Sequence, residues 1–137
     1  MITAYLTFNG QTEEAFSFYK SVLGGEFTNF QRFGDTPHGE AMSDTDKKKI
    51  MHVTLEGSNG TIMGNDHMDF MGPFTAGNNF SLSIHPQSKK DAKFFFDGLS
   101  DGGDIVMPLD TAPWGAYFGM FTDKFGVKWL VNYQPKD

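Results

Sequence analysis

Apolar residues recur at helical spacing in two segments of the chain. In the segment 12–23 they fall on one helical face that begins at Ala15, and in the segment 88–99 the same face begins at Ala92. Thr12 and Ser88 can cap the two starts, and a pair of glycines follows each segment. The pattern therefore predicts two helices that repeat each other at a shift of 77 residues.

Short apolar or alternating segments surround both helices in the same order. One strand precedes each helix and three follow it, and the last two are joined by the turns GSNG and DKFG. Gly60 and Gly126 hold the same place in these turns, where a positive φ is often needed. The predicted strands are 4–8, 27–33, 51–56 and 61–65 in the first half, and 79–84, 105–109, 117–122 and 127–133 in the second.

Each half therefore has the order strand–helix–strand–strand–strand, and neither half alone can bury both faces of its sheet. We expect an α+β fold in which two tandem βαβββ modules form one large curved mixed sheet, a cup with the helices on the outside. The chain is then a single domain over residues 1–137. Module one covers about 1–67, a linker covers about 68–78, and module two covers about 79–137.

Composition narrows the functional classes. The chain of 137 residues contains 15 Phe, and aromatic residues make up 15% of it, which predicts an aromatic-rich core or cavity. A net charge of -6 argues against nucleic acid and anionic membranes as partners. The absence of Cys excludes thiol nucleophiles and cysteine zinc sites. Because no signal peptide or long apolar run is found, we expect a cytoplasmic protein that does not enter a membrane.

Two long motifs carry a family resemblance. The first is YLTFNGQTEEAFSFYKSVLGGE at residues 5–26, and the second is GGDIVMPLDTAPWGAYFGMFTDKFGVKWLVNY at residues 102–133. With these motifs the chain resembles the PhnB-like branch of the vicinal-oxygen-chelate superfamily, which includes glyoxalase I, bleomycin-resistance proteins and extradiol dioxygenases. The resemblance implies a small-molecule site in the cup and a homodimer.

Proteins of this branch are often described as demethylubiquinone methyltransferases. A methyltransferase that uses S-adenosylmethionine normally has a glycine-rich loop between a first strand and a helix. In this chain the segment GSNG at 57–60 falls in a predicted hairpin instead. The pattern therefore does not favour methyl transfer.

The resemblance also implies a divalent metal in each cup, held by His and Glu and chelating two neighbouring oxygens of a substrate. The usual ligand positions fall near Ala4, near Phe80 or Ser81, and at Leu130. None of these side chains binds a hard or borderline divalent ion. We therefore expect no cofactor, and a divalent metal only if other residues supply the ligands.

Candidate catalytic residues lie in the predicted strand 51–56. Alternation places His52 and Glu56 on the face opposite Met51 and Val53, with the two polar residues roughly 13 Å apart along the strand. This separation is too large for one metal to reach both side chains. Either residue could act as a general base.

Candidate ligand-binding residues lie near the ends of the modules. His67 follows the last strand of module one, and Trp114 precedes the strand 117–122, where an indole can stack on a flat ligand. Trp129 shares one side of the last strand with Val127 and Val131 and is predicted to be in the core. The candidate ligand-binding residues are His67, Trp114, Lys128 and Leu130.

Three functions remain open at this point. The first is a protein that binds a small molecule in an aromatic-lined cup, and the missing metal ligands and the acidic balance favour it. The second is a lyase, isomerase or dioxygenase-like enzyme, metal-assisted or metal-free, that acts on a small vicinally oxygenated metabolite. The third is a structural or regulatory dimer.

Overall fold

The computed structural model describes residues 1–135, which divide into two compact units, Met1–Ala76 and the residues from Gly77 onward. The helices are α1 (Thr12–Leu23), α2 (Asp44–Lys48) and α3 (Lys89–Ser100). The strands are β1 (Ala4–Phe8), β2 (Glu26–Arg32), β3 (Ile50–Gly57), β4 (Gly60–Asp66), β5 (Leu82–Ile84), β6 (Asp104–Thr111), β7 (Tyr117–Thr122) and β8 (Lys128–Tyr133). Within residues 1–135, no helix is long and apolar enough to cross a membrane.

The first unit is a four-stranded mixed sheet in the order β1-β4-β3-β2. β1 runs parallel to β4, and the other neighbouring strands are antiparallel. The helix α1 buries Ala15, Phe16 and Tyr19 completely, and each large side chain buried in this way contributes about 1.5–3 kcal/mol. Gly64 of β4 lies under the helix, because a Cβ atom there would be 2.7 Å from the Phe16 ring. A glycine at this position therefore lets α1 approach the sheet.

The second unit repeats this arrangement with the strand order β5-β8-β7-β6. β5 runs parallel to β8, and the other pairs are antiparallel. Phe96 of α3 lies over Gly119 of β7, where a Cβ atom would be 2.6 Å from the ring. Phe96 also meets Phe121 edge-on, with the ring centroids 5.1 Å apart. Both units thus use a glycine in the sheet to seat an aromatic residue of the helix.

The prediction that Trp129 lies in the core is confirmed, since only 2% of the residue is exposed. Its indole N–H donates to Oδ2 of the buried Asp123 over 2.8 Å. The other carboxylate oxygen, Oδ1, accepts from the backbone N–H groups of Phe125 and Val127. Asp123 therefore fixes the turn between β7 and β8 from inside the core.

The α+β fold class and the order of elements in both halves are confirmed. Backbone hydrogen bonds form two four-stranded sheets, and the joining of these sheets into one cup stays a prediction. β5 starts at Leu82, later than the predicted strand 79–84, and its burial is only partial. Gly60 and Gly126 both have a positive φ, as the turn positions predicted.

One helix cap was predicted correctly and the other was not. Ser88 caps α3, because its hydroxyl accepts from the backbone N–H of Asp91 over 3.0 Å. At α1 the cap position is Gln11, so the prediction for Thr12 is wrong. The Thr12 hydroxyl instead donates to Oδ1 of Asp66 over 2.6 Å, and the backbone N–H of Thr12 donates to the same oxygen. The carboxylate of Asp66 in β4 therefore binds the first backbone N–H of α1, in place of a local cap.

Candidate functional site

The side of the first sheet opposite α1 carries polar side chains, with the apolar Met63 of β4 among them. They alternate along β1, β3 and β4 with residues that pack toward the helix, such as Leu6 and Val53. The group, named here the polar face, consists of Tyr5, Thr7, His52, Thr54 and Asn65. It includes the candidate His52, which the alternation of 51–56 had placed opposite Val53.

His52 is hydrogen-bonded at both ring nitrogens. The Tyr5 hydroxyl lies 3.1 Å from Nδ1, and the Thr54 hydroxyl lies 2.7 Å from Nε2. A neutral imidazole has one donor and one acceptor nitrogen, so one hydroxyl donates to the ring and the other accepts from it. Thr54 is buried whereas Tyr5 is 48% exposed, so the chain leads from an exposed phenol to a buried hydroxyl. This arrangement can pass a proton between the ring and a molecule bound at Tyr5.

Burial raises the pKa of the Tyr5 phenol above its usual value of 10.0. The phenol therefore stays protonated at neutral pH and remains a hydrogen-bond donor. On the same face the Thr7 hydroxyl donates to Oδ1 of Asn65 over 2.8 Å. The polar side chains of this face thus satisfy one another across strands.

His52 and Glu56 are not brought together. Glu56 is exposed at the hairpin end of β3, where it pairs with Thr61 of β4 and Glu26 of β2. His52 forms its side-chain hydrogen bonds with Tyr5 and Thr54 instead. The role of Glu56 as a catalytic residue stays a prediction without a contact to support it.

His67 holds the segment that follows β4. Its Nε2 donates to the carbonyl oxygen of Gly72 over 2.6 Å, since a carbonyl can only accept. Its ring lies 5.4 Å from that of Phe74, and its backbone N–H donates to Phe8 over 2.7 Å. These contacts give His67 a local structural task, and its role in ligand binding stays a prediction.

The side of the second sheet opposite α3 combines an aromatic ring and apolar side chains with a lysine and an asparagine. Its residues alternate along β7 and β8 with the buried Gly119, Trp129 and Val131, and all are partly exposed. The group, named here the aromatic face, consists of Phe118, Met120, Lys128, Leu130 and Asn132. It includes the candidates Lys128 and Leu130.

Trp114 extends this face from the turn before β7. The residue is 63% exposed, and its ring meets that of Phe118 edge-on with the centroids 5.7 Å apart. At the other end of the face, Nζ of Lys128 donates to the carbonyl oxygen of Asn78 over 3.1 Å. The aromatic face therefore has an exposed aromatic pair at one end and an ammonium group at the other.

Seven residues of the two faces were missed in the sequence as site residues: Tyr5, Thr7, Thr54, Asn65, Phe118, Met120 and Asn132. Asn132 shares its face with Lys128 and Leu130 by simple alternation, which is a signal that the sequence contains. Tyr5 is different, because it lies 47 positions from His52 and meets it only through the strand order β1-β4-β3. No local pattern predicts that contact.

The residues at the usual metal positions of the superfamily do not fit a metal. Ala4 alternates with Tyr5 and shares the face of Leu6, and Phe80 is more than half exposed ahead of β5. Within residues 1–135, no three His, Cys, Asp or Glu side chains lie close enough to hold a metal ion. We therefore derive no chemical step through a metal.

A cleft of about 500 Å³ lies beside the start of α1. Asp66 lines it, but both of its carboxylate oxygens already accept hydrogen bonds, from Thr12 and from the backbone N–H of Ile50. Glu13 lines it as well and is bound at both oxygens by Arg32, over 3.0 and 2.8 Å. The hydrogen bond from Arg32 lowers the pKa of Glu13. These carboxylates join α1 to the sheet, so we assign the cleft no ligand.

Comparison with known proteins identifies the family. The family model described as 3-demethylubiquinone-9 3-methyltransferase matches residues 1–132. Protein YjdN of Escherichia coli K12 is 31% identical over 142 residues, which cover 96% of this chain and 93% of that protein. Protein PA1353 of Pseudomonas aeruginosa is 40% identical, with coverage of 99% and 98% and a TM-score of 0.88.

Two further solved structures connect the family to its fold. The PhnB protein of Bacillus cereus, which shares the methyltransferase description, is 27% identical with coverage of 96% and 98% and a TM-score of 0.76. A glyoxalase/bleomycin resistance protein/dioxygenase family enzyme of Burkholderia phytofirmans is 14% identical, covers 97% of each chain and has a TM-score of 0.67, which shows the fold alone. The chain therefore belongs to the PhnB-like family described as 3-demethylubiquinone-9 3-methyltransferase, and it has the vicinal-oxygen-chelate fold.

Proposed function

We propose that the protein binds a small molecule through the aromatic face of its second unit. The observation that carries this proposal is the ring pair of the exposed Trp114 and the partly exposed Phe118, on the same face as the partly exposed Leu130. Exposed aromatic rings next to apolar side chains offer a flat ligand both stacking and burial. The proposal needs no cofactor.

Ligand binding is preferred over methyl transfer for a structural reason. In folds that bind nucleotide cofactors, the glycine-rich loop leads from a parallel strand into a helix. Here Gly57 and Gly60 close the antiparallel hairpin of β3 and β4. The family description therefore gives the relatives of the chain but does not support methyl transfer. The function proposed for it rests on the aromatic face.

The test is a titration of the isotope-labelled protein with indole and with 1-methylindole, followed by NMR chemical shifts. We expect both probes to shift the signals of β7 and β8, and Trp114→Ala to weaken both by at least about threefold, as the loss of an aromatic contact predicts. Phe94→Ala is the matched control, because Phe94 is similarly exposed but lies on α3. Equal effects of the two variants, or shifts that avoid β7 and β8, would overturn the proposal.

A second candidate function is metal-free acid–base catalysis on the polar face, and the Tyr5–His52–Thr54 chain favours it. The Tyr5 oxygen would take a proton from the carbon beside a carbonyl while its own phenol proton passes to Nδ1 of His52. The electron pair of that C–H bond would form the C=C bond of an enolate, and the π pair of the carbonyl would move to its oxygen. Return of a solvent proton to the carbon completes the exchange.

Hydroxyacetone in D₂O tests this candidate, because proton exchange at its carbon atoms can be followed by ¹H NMR. An enzyme of this kind should accelerate the exchange, and His52→Ala should abolish the acceleration. Glu56→Ala tests the other candidate residue in the same assay. If His52→Ala leaves the exchange rate unchanged, the acid–base role is excluded, while binding at the aromatic face is unaffected.

We also propose a homodimer. Among the described residues 1–135, the edge strand β6 pairs only with β7, and it exposes Ile105, Val106 and Met107 by about half or more. An apolar sheet edge of this kind is normally covered by another chain or structural element. Light scattering should give twice the chain mass at micromolar concentration, and Val106→Lys should reduce it. A monomeric mass for the unmodified protein would refute the dimer.

A further inference from the structure

The side-chain oxygen of Asn132 is buried without a hydrogen-bond partner. It is the one such buried side-chain atom found in residues 1–135. A buried carbonyl oxygen without a donor destabilises the folded state, and native proteins keep few of them. A hydrogen-bond donor from outside the chain would therefore satisfy this oxygen and stabilise the folded state.

The internal repeat shows what this position looks like when it is satisfied. In the first sheet Gly64 pairs with Val53, and in the second sheet Val131 pairs with Gly119. These two pairs hold the same place in the two ladders, so the residues that follow them, Asn65 and Asn132, correspond. Oδ1 of Asn65 accepts a hydrogen bond from the Thr7 hydroxyl. The same amide thus has a donor in one module.

In the second module a different residue stands where Thr7 supplies the donor in the first. Leu6 pairs with Gly64 in the first module, and Ile84 pairs with Val131 in the second. The residue after Leu6 is Thr7 and the residue after Ile84 is His85, so His85 takes the place of Thr7. Nε2 of His85 lies 3.1 Å from the hydroxyl of Ser83, a residue of its own strand. Both modules thus have an asparagine at this position, but the residue that corresponds to Thr7 is a histidine in the second module.

The surroundings of Asn132 indicate a flat ligand. Phe118 lies directly opposite Asn132 in the β7–β8 ladder, and such pairs have Cβ atoms about 4.5–5.5 Å apart. Trp114 lies against Phe118, and Leu130 is the next residue of β8 on the same face. Asn132 therefore lies opposite one ring of the aromatic pair and two positions from Leu130 on the same face.

Two charged side chains bear on the charge of the ligand, Lys128 and Asp110. Lys128 lies four positions from Asn132 along β8, a distance of about 13 Å. Its ammonium group already contacts the carbonyl oxygen of Asn78. Asp110 of β6 pairs with Phe118 and therefore lies on the same face as Asn132, where its carboxylate disfavours an anion.

We infer that Asn132 selects the ligand of the aromatic face, and that this ligand is a flat molecule without negative charge that has an N–H or O–H donor directed at Oδ1. The inference rests on the proposed function, because it names the chemistry of a molecule bound at the same face. It adds one requirement that stacking alone does not make, namely the donor.

The first test is the stability of the ligand-free protein. Asn132→Leu replaces an oxygen without a partner by an apolar group of similar size, so the unfolding midpoint in urea should stay equal or rise. The matched control is Asn65→Leu, which leaves the Thr7 hydroxyl without its acceptor and should lower the midpoint. If both variants lower the midpoint equally, Asn132 has a structural partner in solution and the inference is wrong.

The second test compares indole with 1-methylindole, which differ in the N–H donor. The unmodified protein should bind indole about three- to tenfold more tightly, the range expected for one hydrogen bond. Asn132→Leu should bind the two probes equally, and Asn132→Asp, which keeps acceptor oxygens, should retain the preference. The readout is the dissociation constant from NMR titration.

The outcomes separate the inference from the proposed function. If the unmodified protein binds both probes equally at the aromatic face, the donor requirement is wrong and the proposed function survives. If neither probe binds at a few millimolar, both are overturned. A preference for indole that persists in Asn132→Leu also overturns the inference, because another residue then recognises the donor.

Discussion

The indole N–H of Trp129 and the carboxylate of Asp123 form a hydrogen bond of 2.8 Å inside the second unit. Both residues are almost completely buried. The same carboxylate also accepts two backbone N–H groups of the turn that joins β7 to β8. One side chain therefore connects the hairpin turn to the hydrophobic core, and a buried carboxylate is tolerated because donors surround it.

Trp129→Phe should destabilise the protein by about 1–3 kcal/mol, because it leaves a buried carboxylate oxygen without this donor. Urea unfolding followed by circular dichroism measures the effect. Trp114→Phe is the matched control: Trp114 is exposed, so its change should stay within about 0.5 kcal/mol. Comparable losses in the two variants would show that the hydrogen bond to Asp123 is not what stabilises the turn.

Gly64→Ala should destabilise the first unit by about 1–3 kcal/mol, the usual range for overpacking a core. The new Cβ atom would lie 2.7 Å from the Phe16 ring and 2.6 Å from the carbonyl oxygen of Leu6. Adding Phe16→Leu should recover part of the loss, since the ring is one of the two obstacles. Urea unfolding of the single and double variants tests this. Strictly additive losses would contradict the proposed contact.

The regular elements could be predicted because their signals are local. The apolar period of α1 and α3 and the glycines of the hairpin turns stand in the sequence itself. The helix α2 was missed because its five residues, DTDKK, have no apolar period. It is held by its ends instead, where Ser43 caps it by accepting from the backbone N–H of Asp46. A short polar helix of this kind looks like a loop.

The site could be predicted only in part, since its key contacts are non-local. Alternation placed His52 opposite the buried Val53, and the structure agrees. The contact between His52 and Tyr5 depends on β4 lying between β1 and β3, which no local pattern reports. The error at Thr12 has the same origin, because its partner Asp66 lies 54 positions away.

The ion pair between Glu13 and Arg32 should make stability depend on pH. Arg32 lowers the pKa of Glu13 below its ordinary value of 4.5, so the folded state holds this proton less tightly than the unfolded state does. The stabilisation is therefore complete above pH 4.5 and is lost as the pH falls through the lower, folded-state pKa. Because the pair is partly exposed, Glu13→Gln should cost less than about 1 kcal/mol at pH 7.

Urea unfolding of Glu13→Gln and of the unmodified protein at pH 7 and below pH 4 measures this difference. The gap between the two proteins should shrink at the lower pH. Glu14→Gln is the control, since Glu14 is the exposed neighbour in the same helical turn. A gap that is constant with pH, or equal for the two variants, would exclude the ion pair as its source.

Thr54→Val should disturb His52 and should cost about 0.5–1.5 kcal/mol of stability, the net value of a typical hydrogen bond. The Thr54 hydroxyl lies 2.7 Å from Nε2 of His52 and is the buried end of the chain that starts at Tyr5. Without it, the ring keeps only the Tyr5 hydroxyl, so the balance between its two neutral tautomers should change. The ¹⁵N shifts of the imidazole report that balance directly, and Thr61→Val, at the hairpin end of β4, should leave them unchanged. Identical ring shifts in Thr54→Val and the unmodified protein would mean that Thr54 does not orient His52, and the acid–base role proposed for the polar face would lose its structural basis.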